Sequence, residues 1–281
     1  MLKKIITLFK LGRKVAKSDI LKITSKFHEP PLAVKVLFKI LSFSFSSNEK
    51  GDLIKDEGER LSNSLESMGT TFIKLGQFLA TRPDIIGEEL SKKLENLQDK
   101  LPPFSLIQAK EIIKNDLGDI TYNSIIDLTE PVAAASIAQV HKAQINDNGT
   151  IKDVAIKILR PNIKKIFNEE IDAIMLLAYI VESLITKTKR LKLIEVVFLF
   201  KEITNHEMDL RFEAAAANEY AENTKNDLGF FVPKIYWNFT SESVLTLDWV
   251  DGVSIREKDL LKERNIETSK IATNLIQHFL R

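Results

Sequence analysis

The four residues Asn146-Asp147-Asn148-Gly149 do most to limit what this chain can fold into. An Asn-Gly pair supplies the positive backbone angles a tight hairpin needs, so the segments on either side are read as antiparallel strands. Strands are expected at Ile125 to Leu128, Val154 to Leu159, Gly229 to Phe231 and Val244 to Trp249, with Val232 to Tyr236 leading into the last pair. Before Tyr122 the periodicity is helical instead. Helices are expected from about Asp56 to Thr81, from Gly87 to Leu97 and from Phe104 to Asp116. Arg82-Pro83-Asp84, Leu101-Pro102-Pro103 and Gly118 punctuate them. Two long helices, about Ile163 to Lys187 and Leu193 to Asn226, follow the hairpin, and Ile271 to Leu280 forms the last. Helices, then a hairpin, then helices and more strands is α+β order.

The chain has 281 residues, 44% of them apolar, enough to bury the core of one or two domains. Its 40 basic and 39 acidic residues leave a net charge of +1, which gives nucleic acid no electrostatic hold. The charge is uneven, however. Residues 1–40 carry ten lysines and arginines against Asp19 and Glu29 alone, a net of +8. Leu2, Ile5, Ile6 and Phe9 recur there at helical spacing, widened by Leu8, Leu11 and Val15. Such a helix can lie on an anionic membrane surface or pack on its own domain; salt-sensitive binding to anionic vesicles would mark the first. Ser42 to Asp52 reads as a loop.

With no cysteine the chain has neither disulfides nor thiolate metal sites, which suits a reducing compartment. No apolar run approaches the roughly 20 residues that span a bilayer. The start lacks the apolar core and cleavage site of a secretory signal. A cytosolic or membrane-peripheral chain is the expectation.

Four segments could carry chemistry. In Val154-Ala155-Ile156-Lys157 a buried strand presents one lysine. A buried cation needs an anionic partner such as a carboxylate or phosphate; the plainer alternative is a strand-edge lysine that snorkels to solvent. Upstream, Ala133, Ala134, Ala135, Ser136, Ile137, Ala138, Gln139 and Val140 lie between expected strands. Phosphate-cradling turns usually contain glycine, because the backbone must approach the ligand. Small residues in that place would keep the backbone accessible but stiffer, although an Ala-rich stretch can also be a simple helix. Lys74-Leu75-Gly76-Gln77 sets a lysine and a glutamine on one helical face around a glycine, a pattern that by itself reads as a helix-packing glycine beside a solvated lysine. In Glu207-Met-Asp209-Leu-Arg-Phe-Glu213, the two glutamates would point about 120° apart on a continuous helix.

Val-Ala-Ile-Lys is also a protein-kinase signature, its lysine holding the nucleotide's α/β-phosphates. No His-x-Asp-x-x-x-x-Asn loop and no Asp-Phe-Gly element follows within the 281 residues. Those motifs supply the catalytic carboxylate and the metal ligands of phosphoryl transfer.

In order and character the four segments resemble the UbiB family of atypical protein-kinase-like proteins, linked to ubiquinone biosynthesis. The resemblance runs from about Leu53 to Arg281. It matches the family's Lys-x-Gly-Gln motif to Lys74 and Gln77, its Ala-rich loop to Ala133 through Val140, and its nucleotide lysine to Lys157. Its Glu-x-Asp motif matches Glu207 and Asp209, and a further family glutamate matches Glu213. Val244 to Gly252 matches the strand joining the lobes, whose backbone would meet adenine.

The implied fold is a kinase-like small lobe with an N-terminal helical extension and most of the large lobe missing. The implied parts are a basic segment (1–50), a helical extension (51–120), the small lobe (121–252) and the start of the large lobe (253–281). Lys74 would lie over the active site near Glu207 or Asp209 and occlude protein substrates. Lys157 would pair with Glu213, ahead of Glu169 or Glu170. The implied ligand is ATP with Mg2+, and the implied partners are quinone-biosynthesis proteins and a membrane. The family's catalytic loop would follow Ile271 to Arg281, so the expectation is a truncated member, inactive alone or reduced to a non-catalytic interaction module.

Overall fold

The computed structural model describes residues 64–95, 97, 101–184, 186–255 and 257–280, together with Ile6, Thr7 and Lys10. Those three residues are helical; the other expectations for residues 1–63 lie outside the described residues. The chain divides into two compact units that interleave along the sequence. The first takes in residues up to Leu101, Ala135–Ile137 and Asn162–Asn205, and the second takes in Pro102–Ala134, Ala138–Pro161 and the residues from His206 onward.

In the first unit the helix expected to run unbroken to Thr81 is interrupted at Gly69, whose φ of 105° no helix accommodates. Residues 64–68 are helical, and α1 (Thr70–Ala80) restarts after the glycine. Pro83 ends the run as expected but also opens a short α2 (Pro83–Ile86), where its missing N–H costs nothing. Next come α3 (Glu88–Leu94) and, after the second unit's hairpin, α5 (Ile163–Leu184). Leu65, Met68, Phe72, Ile73, Leu94, Leu97 and Ala173 form this unit's core. Phe200 stacks against Phe78 and Phe167, with ring centres 5.5 and 5.6 Å apart.

The second unit begins with α4 (Leu106–Tyr122), closed at its start by a capping box between Ser105 and Gln108. The helix kinks at Gly118 (φ 79°), where a stop was expected. β1 (Ile125–Ile126), β2 (Pro131–Ala134), β3 (Ala138–Asp147), β4 (Thr150–Leu159) and β5 (Val244–Asp248) make an antiparallel sheet in the order β1-β3-β4-β5, with β2 also on β3. The expected hairpin turn is present. Asp147 pairs with Thr150, and Asn148 and Gly149 both have positive φ, 53° and 88°, so the strands close on two residues.

Alternation along β3 and β4 gives the sheet two unlike faces. Ala143, Ile145, Val154, Ile156 and Ile158 join Ala109 and Ile113 of α4, with Tyr236, Phe239 and Val244, in a continuous core. Each large side chain buried there contributes roughly 1.5–3 kcal/mol. Val140, Lys142, Ala155 and Lys157 occupy the other, more open face.

Three expectations are corrected. Gly229 to Phe231 is not a strand: Gly229 is left-handed (φ 82°), and Phe230 anchors the loop between Tyr220 and His278. The last strand pair is a single strand, β5, which the preceding segment joins at the Ile235–Leu247 bridge; the ladder goes no further because Lys234 gives its N–H to the Asp248 carboxylate at 3.1 Å instead of to the Asp248 carbonyl. The helix expected from Leu193 to Asn226 is two: α6 (Leu193–Glu207) and α7 (Leu210–Thr224). Asp209 caps α7 by accepting the N–H of Arg211 at 3.1 Å, and Leu210 gives its N–H to the Glu242 carbonyl instead of a helical partner. α8 (Lys258–Glu263) and α9 (Thr268–Phe279) follow β5.

Candidate functional site

Lys157 stands on β4 one residue from core-facing Ile156, so strict alternation points it to the open face. Its neighbours across the ladder are Val140 of β3 and Leu245 of β5, and Ala155 precedes it on the same face. Its Nζ donates to both carboxylate oxygens of Glu213 on α7, at 2.9 and 2.7 Å. Of the three glutamates considered, Glu213 is the one that holds the lysine.

The side chains are 27% and 50% exposed, so water screens the pair and its worth to stability is about 0–1 kcal/mol. The break before α7 matters here. Restarting the helix at Leu210 uncouples Glu213 from the direction of α6, so the 120° relation expected on one continuous helix does not apply.

The Ala-rich segment is not the open loop expected. Pro131–Ala134 and Ala138 onward are strands paired with each other, and only Ala135-Ser136-Ile137 forms the connection. Ala133 is exposed; Ala134, Ala135 and Val140 are half-buried; Ser136, Ile137, Ala138 and Gln139 are buried. The tip of the connection belongs to the first unit, where the hydroxyl of Thr70, at the start of α1, donates to the Ser136 carbonyl at 3.3 Å.

Gln139, a candidate nucleotide ligand, turns its side chain into the protein. Its amide oxygen accepts the N–H of Phe104 at 2.9 Å, and its amide nitrogen donates to the Phe104 carbonyl (3.1 Å) and to Nε2 of His141 (2.8 Å). His141 completes the chain at the Thr129 carbonyl, 2.8 Å from Nδ1. Both residues are fully buried. A readable signal existed: Gln139, His141, Ala143 and Ile145 share one face at period two, and Ile145 places that face in the core.

Lys74 and Gln77 lie half-buried on α1 in the first unit. Gly76 between them is a packing glycine: a Cβ there would come within 2.8 Å of Leu97 and 2.9 Å of Leu65. Glu207 ends α6 exposed, and Asp209 is committed to the α7 cap and to the Arg211 guanidinium, at 2.6 and 2.9 Å. Among the described residues no three Asp, Glu or His side chains converge to hold a metal ion, and no helix is long and apolar enough to cross a membrane.

Against known proteins, residues 96–281 match the ABC1 atypical kinase-like domain. A probable protein kinase UbiB of Marinobacter nauticus is 32% identical over 252 residues, covering 89% of this chain and 45% of that protein. Its namesake in Vibrio cholerae serotype O1 is 35% identical over 230 residues, covering 81% and 40%. The chain spans less than half the length of the curated relatives it matches.

Proposed function

Because the chain belongs to the ABC1 atypical kinase-like family, alongside the UbiB proteins, we propose that it forms the nucleotide-holding part of a UbiB-type kinase or ATPase that binds Mg-ATP and supports ubiquinone biosynthesis. The observation that carries the proposal is the Lys157–Glu213 pair on the open face of the sheet. A cation worth little to stability, fixed by a carboxylate and partly open to solvent, is ready to exchange part of that partnership for phosphate oxygens. Glu213 orients the ammonium. Ala155, on the same face, presents only a methyl group and leaves room for a ligand.

The adenine edge is assigned to main chain beyond Trp249, whose own N–H is already given to the Asp153 carbonyl at 3.1 Å. The phosphate contact made by Lys157 does not depend on a metal, and the chain's own residues supply no ready-made magnesium site among those described. The 281 residues contain no catalytic-loop aspartate, so phosphoryl transfer is assigned to none of them.

Titration calorimetry tests the reading. ATP and ADP should bind saturably, and adenosine, which has nothing for Lys157 to grip, at least about tenfold more weakly, a difference of about 1.4 kcal/mol. Equal affinities for adenosine and ATP would remove the phosphate role; no binding of either would remove the site.

A further inference from the structure

The buried chain Phe104–Gln139–His141–Thr129 has its hydrogen-bond directions fixed at both ends by main-chain groups. The N–H of Phe104 can only donate, so the Gln139 atom facing it must be the amide oxygen. The Gln139 amide nitrogen then faces both the Phe104 carbonyl and Nε2 of His141. A nitrogen that receives an N–H must present a lone pair, so Nε2 of His141 is unprotonated. Its proton sits on Nδ1, where the Thr129 carbonyl can only accept it. Every polar atom of the two side chains is used.

Thr129 is tied to the next residue of β3 as well. Its N–H donates to the Lys142 carbonyl at 2.9 Å, and its hydroxyl accepts the Lys142 N–H at 3.2 Å. Immediately beyond, the β2–β3 register slips between Pro131 and Ala133. The network therefore ties β3 to Thr129, two residues before β2 begins and beside that irregular point. Val140 lies between the two clamped residues on β3 and faces Lys157 directly across the ladder.

We propose that Gln139 and His141 are positioning residues, a neutral latch that holds β3 against the segment entering β2, in the register that sets Ala133 beside Val140, the cross-strand neighbour of Lys157. The latch rests on the nucleotide reading only for its functional consequence.

The latch opens in acid. Protonated His141 would aim an Nε2–H at the Gln139 N–H, and Gln139 cannot turn over without facing Phe104 with the wrong atoms. Burial holds the imidazole below its ordinary pKa of 6.5, opposed by the Thr129 carbonyl and by Glu130, the charged group acting on it. Across β4 its partner is apolar Ile156. The unfolded chain thus takes up a proton at a higher pH than the folded one. The latch's stabilisation is complete above about pH 6.5 and is lost as pH falls below it towards the depressed folded value.

Two readouts on the whole chain test this. Long-range 15N–1H spectra, with the His141 signals identified by their loss in His141→Gln, should show a single Nδ1–H tautomer that takes up a second proton only below the ordinary imidazole value. A tautomer mixture, or titration near the ordinary value, would overturn the latch. Gln139→Glu, which replaces two donors with acceptors, should raise the His141 pKa by favouring a second proton on Nε2 while Nδ1 keeps its own. Gln139→Ala should bind ATP about tenfold more weakly at pH 7.5 while still melting cooperatively; unchanged affinity would overturn the positioning role. If the unaltered chain binds no ATP, the nucleotide reading fails and the tautomer alone decides the latch.

Discussion

Lys157→Ala should weaken ATP binding about 100-fold, roughly 2.7 kcal/mol, and move the melting temperature by only a few degrees. The two effects separate because the lysine and Glu213 are both partly exposed to water. Their pair contributes about 0–1 kcal/mol to folding, so losing it barely disturbs the sheet. A phosphate chain is different. It carries several negative charges, and a cation fixed at 2.7 and 2.9 Å by a carboxylate meets it without having to be ordered first. Glu213→Gln retains one acceptor oxygen but removes the counter-charge, so a smaller loss of about tenfold is expected. Titration calorimetry with thermal melts of the same samples gives both numbers. Unchanged ATP affinity in the alanine variant would end the assignment of Lys157.

One residue away the expectation reverses. Ile156 is fully buried in the cluster that joins the sheet to Ala109 and Ile113 of α4. Ile156→Ala should cost about 2–5 kcal/mol, the lost transfer energy plus a cavity that a close-packed core fills poorly. Its cross-strand neighbours, His141 and Thr246, are buried polar residues already engaged, the second through its hydroxyl to the Phe239 carbonyl at 2.7 Å. Neither can move into the space without breaking a hydrogen bond. Urea denaturation should show the loss, while the protein still folded at low urea should bind ATP as before. A cost under about 1 kcal/mol would mean that α4 does not close this face as described.

The contrast between adjacent residues was legible in the sequence, because alternation in a strand is local and needs no partner to be read. The β3–β4 hairpin was legible for the same reason: Asn148-Gly149 carries its backbone geometry in its own chemistry. What stayed hidden was decided by tertiary structure. Helical spacing runs on past Glu207, and only buried Met208 and the bond from Leu210 to Glu242 show that the helix ends and restarts. Asp209, a residue type favoured at helix starts, was the one local clue. The Ala-rich segment suggested a helix by its composition and a loop by its place between expected strands. Its residues form strands because β2 pairs with β3, and Gln139 turns inward because Phe104, 35 residues earlier, offers it a donor and an acceptor together. Glu213 could be matched to Lys157 only by resemblance, since no periodicity links residues 56 apart.

Labelling with an acyl-phosphate derivative of ATP tests the central claim most directly. The probe transfers its acyl group to whichever lysine amine lies beside the bound phosphates, and peptide mass spectrometry names that lysine. The account predicts modification at Lys157, suppressed by excess ATP and little affected by adenosine. Modification spread over surface lysines such as Lys192 and Lys225 without protection by ATP would contradict it.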